Sequence, residues 1–127
     1  MRAERNDHRI AQAQAIADLN DTFRAGLPIT SENPLRFSPG LLRLLEGLPA
    51  FDFFQQRAEL IQLVTDHDCS GLSADEAKRD FGLFQWRGRQ CCWKIEYFSA
   101  DLAERSRNPA DPAMTMRVLT IMLFSEF

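Results

Sequence analysis

A chain of 127 residues carrying 15 basic and 18 acidic side chains has room for one compact domain, residues 1–127, around one core. With 45% hydrophobic and 26% charged residues it reads as an ordinary globular chain, which excludes a disordered or fibrous protein. No apolar stretch approaches the roughly 18 residues that span a bilayer, so a membrane protein is excluded as well.

The net charge of −3 equals that of one central segment. Residues 66–80 hold Asp66, Asp68, Asp75, Glu76 and Asp80 against Lys78 and Arg79, while the flanking stretches nearly balance. The chain therefore lacks the general basic field that drives non-specific nucleic-acid binding. Met1 to His8 contains no apolar h-region, so no secretory leader is expected, and Cys69, Cys91 and Cys92 make a poor disulfide framework. Both features point to a reducing cytoplasm.

In chain order, the first element is a helix over 4–25. Ile10, Ala13, Ile16, Leu19 and Phe23 form its apolar stripe, with Asp18, Asp21 and Arg24 off it, and Gly26 and Pro28 end it. Residues 27–34 read as a loop, and Leu35-Arg36-Phe37 as a short strand. Ser38-Pro39 supplies an N-cap hydroxyl and an N1 proline for a helix through Leu41, Leu42, Leu44 and Leu45, which stops at Gly47. A third helix covers 50–65, with Phe54, Ala58 and Ile61 in line and Leu60, Leu63 and Val64 beside them. Residues 66–80 read as an acidic loop, in which Ser73 and Glu76 have the spacing of a capping box.

The clearest local signal is an aromatic hairpin over about 81–98, with Gly88-Arg89 fitting a type II′ turn. That register pairs Trp86 with Cys91, Phe84 with Trp93 and Gly82 with Ile95. One face then carries Phe84, Trp86, Trp93, Ile95 and Tyr97, apolar enough to be core. Asp111-Pro112 reads as the start of a last helix, apolar on nearly all sides from Met114 to Phe127. The expected class is α+β: a small antiparallel sheet built on the hairpin, packed against amino-terminal, central and carboxy-terminal helices.

Several segments resemble a bacterial family catalogued as domain of unknown function 3768. They are Asp80-Phe81-Gly82-x-Phe84, Trp93-Lys94-Ile95-x-Tyr97 and Asp101-Leu102, then Asn108 to Ala113, Thr115, and Arg117-Val-Leu-Thr-Ile-Met-Leu123. Ile16-Ala-x-Leu19-Asn20-Asp21-x-Phe23-Arg24 is similar too, so the resemblance covers about two-thirds of the chain. It implies an alphaproteobacterial setting, often on plasmids and integrated elements, with no activity attached. Members commonly have a histidine just before Asp-Phe-Gly, where this chain has Lys78-Arg79.

Candidate chemistry is sparse. Asp66-His67-Asp68-Cys69 lines up four metal-ligand types, but adjacent ligands rarely converge and no partner motif exists elsewhere, so no metal site and no cofactor is expected. Asp80, Lys94 and Glu96 are the raw material of a metal-dependent enzyme acting on nucleic acid, although restriction-type nucleases place the glutamate before the lysine. The competing reading is an ion pair on a solvated sheet face. Trp86, Arg87 and Arg89 at the hairpin tip could stack bases and hold phosphates, against the plainer reading of a core tryptophan beside a turn kept soluble by arginines. Val118, Met122 and Phe124 flank the last helix as an interface for self-association or a foreign protein. The leading expectation is a non-catalytic interaction or accessory protein of a mobile element with a protein partner, a homodimer being one form of it. Nucleic acid is the alternative partner.

Overall fold

A computed structural model describes residues 2–27, 35–67 and 78–127, with the first described side chain at His8. The expected cap at Ser73 and Glu76, the loop over 28–34, and Asp68 and Cys69 lie outside the described residues. In chain order the elements are α1 (Arg2–Ala25), β1 (Leu35–Phe37), α2 (Pro39–Glu46), α3 (Ala50–Thr65), β2 (Phe81–Trp86), β3 (Arg89–Ser99) and β4 (Thr115–Leu123), closed by a 3₁₀ turn, Phe124–Glu126. The class is α+β, as expected. The sheet order is β1-β4-β3-β2, and the sheet is mixed: β1 runs parallel to β4, and the other pairs are antiparallel.

The segment expected to be the carboxy-terminal helix is instead β4, the long inner strand between β1 and β3. A strand buried on both faces reads as a continuous apolar run, which periodicity does not separate from a buried helix. Thr115, Val118, Thr120 and Ile121 are β-branched and suit a pleated surface. Asp111 starts no helix. Its carboxylate accepts from Ala113 N at 2.9 Å and its carbonyl from Met114 N at 3.2 Å, which makes a turn that feeds the strand.

The hairpin also differs from expectation in its turn. Trp86 pairs with Arg89, Phe84 with Cys91 and Gly82 with Trp93. Arg87 and Gly88 are the central residues, at φ 50° and 76°, so the turn is type I′ rather than II′. The slip relative to the expected pairing is two residues along β3, one full side-chain period, so both faces keep their expected membership.

One face of the sheet is covered by helices. Leu41 and Leu45 of α2, Leu60 and Val64 of α3 and Phe23 of α1 pack on Trp86, Cys91, Trp93, Ile95, Leu119 and Ile121. Ser38 caps α2 as expected, and its hydroxyl donates to Glu126 Oε1 at 2.6 Å; Gly40 N donates to Oε2 at 2.9 Å. The carboxy-terminal turn is thereby fixed to the start of α2, and the Ser38 hydroxyl and these backbone donors hold the Glu126 carboxyl below its ordinary pKa. In α3 the buried residues are Leu60, Ile61 and Val64, whereas Phe54 and Ala58, expected on the same line, face solvent.

Trp93 is fully buried, and its indole crosses the residue opposite it, Gly82. A Cβ at that glycine would stand 2.3 Å from Trp93 Nε1 and 2.8 Å from His67 Nε2. Gly82→Ala is therefore expected to cost about 1–3 kcal/mol by overpacking, and Trp93→Ala about 3–5 kcal/mol as a large core truncation. Urea unfolding reads both; a Gly82→Ala variant as stable as the parent would contradict this packing.

Candidate functional site

The helix-covered face holds a buried polar cluster. Asn20 and Arg24, one helical turn apart on α1, are 0% and 5% exposed. Tyr97 and Arg117 face each other across β3 and β4. The Asn20 amide nitrogen donates to Tyr97 Oη at 2.8 Å and to the Lys78 carbonyl at 2.9 Å, and its oxygen accepts from Arg117 Nε at 2.8 Å. Tyr97 Oη donates to Asp80 Oδ2 at 2.8 Å, and Arg117 Nη2 donates to the Pro109 carbonyl at 2.7 Å. The Arg117 guanidinium also lies over the Tyr97 ring, 5.4 Å from its centroid.

Arg24 organises the neighbouring half. Its Nη1 donates to the carbonyls of Val64 at 3.2 Å and His67 at 2.9 Å, which caps the end of α3. Its Nη2 meets Asp21 at 3.1 Å, and Asp21 also pairs with Arg79. The guanidinium sits 4.7 Å from the Trp93 ring centroid, with the His67 ring edge-on to the same indole at 5.5 Å.

Burial pushes the Tyr97 phenol above its ordinary pKa, and the Asp80 carboxylate reinforces this against the opposing Asn20 bond. Burial lowers the pKa of Arg117. A phenol that donates to a carboxylate and resists ionisation is a poor general base. These groups hold one another and lock α1 onto the sheet. Among the described residues no three His, Cys, Asp or Glu side chains stand together to hold a metal.

The residues singled out as an enzyme set do not meet. Asp80 is turned to the helix side, bonded to Tyr97, while Lys94 and Glu96 lie on the opposite face, 3.3 Å apart, with Arg105 2.8 Å from Glu96. Partial burial works to raise the Glu96 pKa, but the hydrogen bonds and charges of Lys94 and Arg105 outweigh it and the net shift is downward. At the hairpin tip Arg87 and Arg89 are exposed, but Trp86 is 3% exposed and donates to Gln56 Oε1 at 3.1 Å, leaving no free ring face for a base. Val118 and Met122 are buried within the sheet; Phe124, just past it, is 42% exposed. Cys91 and Cys92 are buried, and burial raises both thiols, so neither is a poised nucleophile.

The match to a known family falls on the sheet side of this cluster. A family model described as Protein of unknown function (DUF3768) matches residues 41–126. The chain belongs to this family. No curated protein and no solved structure matches it. The matched span supplies Asp80, Gly82, Trp93, Tyr97 and Arg117 to the cluster, while Asn20, Asp21 and Arg24 come from α1, ahead of it. Within this family member, then, the matched segment and α1 share one interior.

Sequence reasoning placed Arg24 off the apolar stripe and gave Asn20 no role. The available signal was their spacing: Asn20 and Arg24 continue the i, i+4 line from Ile16. Tyr97 is the sole tyrosine, so the ultraviolet change that accompanies phenolate formation reports this site alone. Because its folded pKa is raised, the associated stability is complete below the unfolded value of about 10 and is lost as pH rises through the folded value. The expected titration stays flat to beyond pH ~10 and then rises together with unfolding. Phenol ionisation at an ordinary pKa in a folded chain would contradict the burial of this group.

Proposed function

We propose that the protein is a non-catalytic interaction protein that binds a macromolecular partner through the β2 edge of its sheet and the aromatic patch beside it. The observation that carries this reading is the composition of β2. It is the outermost strand, and its six residues, Phe81-Gly-Leu-Phe-Gln-Trp86, include no charge and no proline. Natural edge strands are usually blunted by charges, prolines, bulges or brevity. The opposite edge, β1, is three residues long. On the face opposite the described helices, Phe81 stands 5.1 Å from Phe127, which stacks at 6.3 Å on Phe124. Leu83 is 44% exposed and Phe127 68%. An edge and an apolar patch side by side suit a protein partner that adds a strand.

The enzyme alternative through Asp80, Lys94 and Glu96 loses its support because these side chains occupy opposite faces. Nucleic-acid binding keeps the arginines of the tip but loses Trp86 as a stacking platform. A bacterial, plasmid-linked setting enters the proposal from the family resemblance, and a cytoplasmic one from the leader-free start and the cysteine usage; among the described residues no helix is long and apolar enough to cross a membrane.

Affinity capture from an alphaproteobacterial host, comparing the parent with Leu83→Lys and Phe127→Ser, tests the reading. A protein retained by the parent and lost with both variants is expected. Capture unaffected by either change would contradict the surface, and Mg²⁺- or Mn²⁺-dependent turnover of pooled DNA and RNA that disappears in Asp80→Ala would overturn the non-catalytic reading.

A further inference from the structure

We propose that the partner at the β2 edge is a second copy of this chain, joined strand to strand about a two-fold axis at Leu83; this rests on the interaction reading above. The backbone parity leads there. Ile95 N donates to the Asp80 carbonyl at 2.7 Å, and Gly82, Phe84 and Trp86 continue the same parity opposite Trp93, Cys91 and Arg89. Backbone groups alternate sides along an antiparallel strand, so Asp80, Gly82, Phe84 and Trp86 bond to β3. The N–H and C=O groups of Phe81, Leu83 and Gln85 then point outward.

Two such edges are complementary to each other. Antiparallel pairing centred on Leu83 sets it opposite the partner's Leu83, and sets Phe81 opposite the partner's Gln85. All outward groups are then satisfied, in about six backbone hydrogen bonds. Moving the two-fold by half a residue would set these groups against ones already bonded to β3, and moving it by one residue, to Gly82 or Phe84, would leave Gln85 or Phe81 unpaired.

The side chains agree with this register. On the face opposite the described helices Leu83 meets its own copy beside Phe81, extending the patch that Phe127 and Phe124 begin. On the other face Gly82 comes opposite the partner's Phe84, an aromatic next to a residue without a side chain. No charged side chain lies on β2 to oppose its copy. Arg79, which would approach the partner's Arg87, is already paired with Asp21. A symmetric dimer is also the commonest closed assembly, and here it would pair the long edge that β2 leaves among the described strands.

Sedimentation of the full chain over a range of micromolar concentrations tests the dimer, and cross-linking tests its register. In a Cys69→Ser background, Leu83→Cys and Gln85→Cys are treated with a short bismaleimide. The Cα atoms of the Leu83 pair would lie about 5.5 Å apart, and those of the Gln85 pair, offset by four residues, roughly 14 Å. A concentration-dependent dimer, weakened at least about tenfold by Leu83→Lys, and cross-linked through position 83 but not 85, is the expected result. A 14.6 kDa species at every concentration overturns the proposal, as does a dimer indifferent to Leu83→Lys or one cross-linked equally at both positions. If the chain is monomeric and a captured protein still depends on Leu83, the self-pairing fails and the interaction reading stands. If that dependence is missing too, both fail.

Discussion

The side-chain amide of Asn20 is the constraint on which the arrangement of helices and sheet depends. It is fully buried and uses both ends: the nitrogen reaches Tyr97 on β3 and the Lys78 carbonyl ahead of β2, and the oxygen accepts from Arg117 on β4. One residue of α1 is thus tied to three separate parts of the chain. Burying such groups is tolerable only while each has a partner, because a stranded polar group costs about 1–3 kcal/mol and a stranded charge more. Sliding α1 by one turn would strand the amide and break its bonds to the phenol and the guanidinium together. Apolar contacts alone would not impose that register, since hydrophobic burial is non-directional.

From this anchor the rest of the helical face follows. With Asn20 fixed, Arg24 lies one turn on, over Trp93, and reaches the last carbonyls of α3. Trp93 needs the space that Gly82 leaves, so β2 is held close across the sheet by a missing side chain. The described helices close over the polar cluster on one face of the sheet. On the opposite face Cys92, Val118 and Met122 are buried and Leu83 is exposed, the ion pairs of Glu96 with Lys94 and Arg105 keep part of it polar, and Phe81 meets Phe127 there.

Local chemistry was the legible part of the sequence. Ser38-Pro39 starts α2, Leu35 to Phe37 forms a strand, and the 50–65 helix has its expected ends, because caps, prolines and turn residues act within a few positions. The hairpin faces were readable since alternation survives a two-residue slip, whereas the turn type depended on whether Arg87 takes a positive φ. β4 was misread because its burial on both faces comes from strands and helices far away in sequence. That error carried Val118 and Met122 to a supposed interface when they are interior. Asp80, Lys94 and Glu96 looked like one site because sequence proximity does not reveal which side of a sheet a carboxylate at its margin takes. Asn20, Arg24 and Arg117 went unread as a group, since buried polar partners up to 97 positions apart leave no local pattern.

The central claim is that the Asn20–Tyr97–Arg117 contacts are a structural lock between α1 and the sheet. A double-mutant cycle with Asn20→Ala and Tyr97→Phe, read by urea unfolding, tests it most directly. The account predicts single losses that are strongly non-additive, with a coupling of about 1 kcal/mol or more for this buried hydrogen bond. Losses that add to within about 0.5 kcal/mol would show that the two side chains do not act together, and would contradict the lock.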